Sequence, residues 1–85
     1  MFYFFHIRDH EKLIVDETGL ELPNLAAARK EAIAAARSFQ KEAALTFENI
    51  DHQVIEVSDD TGTVLLTVPF SDYRFSEPPD GASLH

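Results

Sequence analysis

The stretch from Asn24 to about Phe47 constrains the fold most: an alanine-rich helical run set between two segments that read as β-hairpins. At 100° per residue, Leu25, Ala28, Ala32, Ala35, Ala36, Phe39 and Ala43 fall on one face, with Lys30, Arg37 and Lys41 opposite and Glu31 and Glu42 on the flank. That apolar face is mostly methyl groups, so the helix must lie close to its support, with Leu25 and Phe39 as the large anchors. Asn24 is a good N-cap, because its side-chain oxygen can accept from the open amides of the first turn. Ala27 at the third helical position rules out a capping box.

Before the helix, residues 2–8 are aromatic and β-branched, with Phe2, Phe4 and His6 on one side and Tyr3, Phe5 and Ile7 on the other. Apolar residues on both sides suit a central strand. Asp9-His10-Glu11 is a polar turn into a second strand, Lys12 to Val15. Asp16-Glu17-Thr18-Gly19 is a further turn, with Gly available for positive φ, and Leu20-Glu21-Leu22 is a short extended piece that Pro23 keeps out of the helix.

After the helix, residues 46–52 form a connection with Phe47 and Ile50 tucked beneath it. Gln53 to Ser58 is a strand with Ile55 and Val57 on one face and Val54 on the other. Asp59-Asp60-Thr61-Gly62 is a hairpin turn. Thr63 to Phe70 is the last strand: Val64, Leu66, Val68 and Phe70 share a face, while Leu65 and Thr67 line the other. Pro69 lacks a ladder donor, so this strand ends there or lies at an edge. The likeness between Val15-Asp16-Glu17-Thr18-Gly19 and Ser58-Asp59-Asp60-Thr61-Gly62 reads as one turn chemistry used twice. The pattern predicts a single α+β domain over residues 1–72, in the order β-β-α-β-β. It has a four-stranded, mostly antiparallel sheet and one helix packed on one face. Residues 73–85, with Glu77-Pro78-Pro79-Asp80-Gly81, read as a flexible tail.

Charge narrows the partners. Fifteen acidic against seven basic side chains give a formal charge of −8, which repels phosphate backbones and anionic membranes. Nucleic acid and membrane are therefore not expected as partners. No apolar run approaches a bilayer span. The first strand lacks the basic leader and cleavage site of a signal peptide, so a cytoplasmic location is expected. With no cysteine, neither a disulfide nor a thiolate metal site can staple the fold.

Catalytic signatures are absent from the sequence. Ser38, Ser58 and Ser71 have no elbow motif or evident base, and three widely spaced glycines make no phosphate loop. The chain is therefore expected to be no enzyme and to use no cofactor. His6, in an otherwise apolar strand, is either a ligand or acid–base group, or a half-buried histidine bonded to the backbone or a nearby carboxylate. If the first hairpin brings them together, His6, Asp9, His10 and Asp16 offer nitrogen and oxygen donors to a small ligand or divalent metal, although their spacing matches no known zinc or calcium motif.

A single helix covers one face of a sheet, yet the first and last strands are apolar on both. The face carrying Tyr3, Phe5, Ile7, Leu65 and Thr67 is the candidate interaction face. The leading expectation is a non-catalytic interaction module, a homodimer or a partner of another protein, that uses this open face or an edge strand. One alternative is the ligand or metal domain centred on His6. Another is an antitoxin-like regulator whose acidic surface binds a basic partner.

The residues Tyr3-Phe4-Phe5-His6, Asp16-Glu17-Thr18-Gly19, Leu22-Pro23-Asn24-Leu25-Ala26-Ala27-Ala28-Arg29 with Glu31-Ala32, and Val64-Leu65-Leu66-Thr67-Val68-Pro69-Phe70 occur in this order. Over residues 2–72 the pattern resembles a family of small bacterial proteins classed as a domain of unknown function. That family usually has Asp where Asn24 stands, and either residue can cap a helix. The resemblance implies a stand-alone domain with no activity, cofactor or catalytic residue to carry over. Its motif includes a residue corresponding to His6.

Overall fold

The strand Phe2–Asp9 (β1) lies in the middle of an antiparallel sheet. One side of it pairs with Lys12–Ile14 (β2) and, beyond a gap, with Leu20–Glu21 (β3). The other side pairs with Gln53–Ser58 (β4), which carries Val64–Pro69 (β5) at the far edge. The long helix Leu25–Leu45 (α1) joins the two halves, and a 3-10 turn over Phe70–Tyr73 follows β5. The structure is a computed structural model that describes residues 1–74. Residues 75–85 of the expected tail lie outside the described residues. Tyr73 packs on the core and Arg74 pairs with Asp51 at 2.7 Å.

The architecture is the expected α+β, β-β-α-β-β, with β3 as a short addition. Asn24 caps α1 by accepting from the Ala27 amide at 2.9 Å. Ala28, Ala32 and Ala36 are fully buried against the sheet. Methyl groups let the helix axis come close, and the bulk of the core comes from the sheet: Tyr3, Ile55, Val57, Val68 and Phe70. Leu25 and Phe39 are corrected from anchors to partly exposed residues, at 38% and 41% exposure. Phe39 instead lays its ring on the buried Phe70. Gln40 takes an interior place on the alanine face because its amide finds two acceptors, Asp51 Oδ1 at 2.9 Å and the Phe70 carbonyl at 2.8 Å.

Register decides the faces. Phe5 stands opposite Val57, and Ile7 opposite Ile55, so β1 gives Tyr3, Phe5 and Ile7 to the helix side. His6 stands opposite Glu56, and Glu56 opposite Thr67, so these belong to the side away from α1, which no helix among the described residues covers. The register between β4 and β5 shifts at Val57/Ser58, which leaves Leu65 as the extra residue of a bulge. The bulge also turns Val64 out to 48% exposure, away from the face of Leu66 and Val68.

Candidate functional site

The expected interaction face therefore divides. Tyr3 is buried, Phe5 packs against the core and Ile7 shares their side, while Thr67 lies on the side away from α1 and Leu65 in the bulge. A strand apolar on both faces does not say which one the helix will take. The residues of β1 on the side away from α1 are Phe2, Phe4, His6 and Arg8. Their rings form a ladder, Phe2 to Phe4 at 6.5 Å and Phe4 to His6 at 6.4 Å and nearly parallel. Beyond it Arg8 pairs with Glu56 through Nε at 3.1 Å.

The expected ligand set, His6, Asp9, His10 and Asp16, also divides. His6 and Asp16 meet in the gap between β2 and β3, where β1 lacks a neighbouring strand. There the Asp16 carboxylate replaces the strand: Oδ2 accepts from the Phe5 amide at 3.1 Å, and Oδ1 accepts from the amides of Thr18 at 3.0 Å and Gly19 at 3.2 Å. Burial opposes its ionisation, but these amides, with help from His6, outweigh burial and hold Asp16 below the ordinary carboxylate value. His6 Nδ1 accepts from the Asp16 amide at 3.0 Å, and Nε2 lies 3.0 Å from Ser58 Oγ.

This arrangement resembles a histidine–serine pair and differs from a catalytic one. A main-chain amide can only donate, so Nδ1 is the bare nitrogen and the neutral ring carries its proton on Nε2, which donates to Ser58 Oγ. A base that activates serine needs the opposite tautomer, with Nδ1–H given to an acceptor. Ser58 is also buried, at 1% exposure.

Asp9 and His10 gather at the other end of β1 with a residue that sequence reasoning missed, His52. Asp9 pairs with Lys12 across the first hairpin and with Gln53 across to β4, so His10 and His52 meet beside it. Asp9 Oδ1 lies 2.9 Å from His52 Nε2 and 3.9 Å from His10 Nε2. The two imidazoles stack at 4.4 Å and 9°. Gln53 Nε2 donates to the other oxygen, Asp9 Oδ2, at 3.2 Å. The register between residues 2–9 and 53–58 is the signal that finds His52, and it is a long-range property of the fold.

An open hollow of about 460 Å³ at the C-terminal end of α1 is lined by Gln40, Ala44, Phe47, Glu48, Asn49, Asp51 and Arg74. Its polar groups satisfy one another: Gln40 bonds to Asp51 and Arg74 pairs with Asp51. The bond from Gln40, against a smaller cost of burial and aided by Arg74, holds Asp51 below the ordinary carboxylate value. Among the described residues no helix is long and apolar enough to cross a membrane.

Residues 2–71 match the family described as a domain of unknown function, DUF6894, and the chain belongs to that family. No curated protein and no solved structure matches the chain.

Proposed function

We propose that this is a cytoplasmic, non-catalytic interaction module that forms a homodimer through the sheet face away from α1 and the adjoining edge of β5, which has no partner strand among the described residues. The observation that carries the reading is the aromatic ladder of Phe2, Phe4 and His6. It lies on a face that no helix among the described residues covers, and Phe2 is 45% exposed at its end. Val64 and Leu65 add exposed apolar surface at the edge of the same sheet. Exposed apolar surface such as that of Phe2, Val64 and Leu65 marks association sites in soluble proteins, and an edge strand offers main-chain groups to a partner. The His6–Ser58 tautomer supports a non-catalytic role, and so does the engagement of both ring nitrogens of His6.

Solution mass measured by light scattering across a range of concentrations tests the reading. The native chain is expected to pass from monomer to dimer, and Phe2→Asp and Leu65→Asp are expected to hold it as a monomer while the fold is kept. Tyr3→Asp is unsuitable, because Tyr3 is in the core. Dimerisation should strengthen with salt, since two chains of formal charge −8 repel each other. A native chain that stays monomeric at every concentration overturns the homodimer. Capture of one basic protein would then favour the acidic-surface alternative.

A further inference from the structure

We infer that Asp9, His10 and His52 form a binding site for a divalent transition-metal ion of the zinc class. The site is independent of the association surface proposed above. Its three donor atoms, one carboxylate oxygen and two imidazole nitrogens, all lie within 4.8 Å of one another. Zinc bonds of about 2.0–2.2 Å place tetrahedral donors about 3.3–3.5 Å apart. The separations of 2.9 Å and 3.9 Å from Asp9 Oδ1 bracket that value. The two rings, stacked at 4.4 Å, turn out of their stack to aim both nitrogens at one ion, and both histidines are solvent-exposed.

Chemistry and support both point to this class of ion. Two imidazoles and one carboxylate suit zinc, nickel or copper over magnesium or calcium, which take oxygen donors. Three protein donors facing solvent leave a fourth position to water, the pattern of an open zinc site. Gln53 holds the second carboxylate oxygen, so Oδ1 is the one aimed at the histidines, in the manner of an outer-shell partner.

Calorimetric titration of the untagged chain with zinc chloride, after treatment with a chelator, tests the site. The native chain is expected to bind zinc saturably. Outer-shell losses cost metal sites about 10–100-fold in affinity, so Gln53→Ala should weaken binding by about tenfold and His10→Gln or His52→Gln by more. His6→Gln and His85→Gln are expected to bind as the native chain does. Circular dichroism of each variant confirms that the fold is kept, which the exposure of His10 favours. No binding by the native chain overturns the site, and so does a His10→Gln/His52→Gln double variant that binds zinc as tightly as the native chain.

Discussion

The main-chain amide of Asp16 donates to His6 Nδ1 at 3.0 Å across the gap between β2 and β3. His6 in turn reaches Ser58 Oγ with its other nitrogen, so one imidazole ties the edge loop to β4. Replacing His6 by Ala leaves the buried Ser58 hydroxyl and the Asp16 amide without these partners. An unsatisfied buried polar group costs about 1–3 kcal/mol, and His6→Ala should lose about that much stability in urea unfolding. A variant as stable as the native chain would show that His6 is dispensable to the fold.

Asp16 makes the same junction sensitive to acid. Its folded value lies below the ordinary one despite burial, because the Phe5, Gly19 and Thr18 amides favour the charged form. The unfolded chain, with an ordinary aspartate value of about 3.9, therefore takes up this proton first as pH falls. The stabilisation is complete above about pH 4 and is lost as pH drops through the folded value. Asp16→Asn is expected to lower stability at neutral pH, where its amide group would face the Phe5 amide. The same variant should flatten the acid limb of a stability–pH curve. An acid limb as steep as that of the native chain would place the titration elsewhere.

Much of this fold is legible locally. Asn24 announces the start of the helix, the alanine period gives its buried face, and alternation in residues 53–58 separates Ile55 and Val57 from Val54. The likeness of the two Asp-x-Thr-Gly turns is also real chemistry. Asp16 and Asp59 each accept from the amide two residues on, and Gly19 and Gly62 both adopt positive φ. What local pattern leaves open is which face of β1 meets the helix, since Phe2 and Phe4 are as apolar as Tyr3 and Phe5. The bulge at Leu65 and the place of His52 beside Asp9 depend on pairing between distant strands. Gln40 reads as polar, and its burial depends on acceptors supplied by Asp51 and Phe70.

The two turn glycines should respond differently to the same substitution. A Cβ on Gly19 would stand 2.7 Å from Phe4 Cε2, on backbone at φ 75. A Cβ on Gly62 meets nothing within 4 Å, so only its φ of 88 opposes a side chain. Gly62→Ala should cost about 0.5–1 kcal/mol, the left-handed penalty less what the reduced freedom of the unfolded chain returns. Gly19→Ala should cost more, because the Phe4 ring must also move off its place in the aromatic ladder. Equal losses in thermal unfolding would contradict the packing of Phe4 on this turn.

Phe47 is the sharpest departure from expectation: not tucked under its connection but 96% exposed, with φ at 60. It occupies the left-handed position that closes α1. Its amide donates to Ala44 O at 3.4 Å, and the next amide, of Glu48, donates to Ala43 O at 2.8 Å, the hydrogen-bond pattern that glycine usually completes. A non-glycine residue there loses about 1–2 kcal/mol, while glycine gives back about 0.4–1 kcal/mol through the freedom of the unfolded chain. Phe47→Gly is therefore expected to stabilise the domain by about 0.5–1 kcal/mol, a rise of roughly 2–8 °C in Tm for a chain of this size. Phe47→Ala removes the ring and keeps the strained backbone, so it should bring no comparable gain. If the alanine variant gained as much as the glycine one, the cost would lie in the exposed ring and not in the φ of 60.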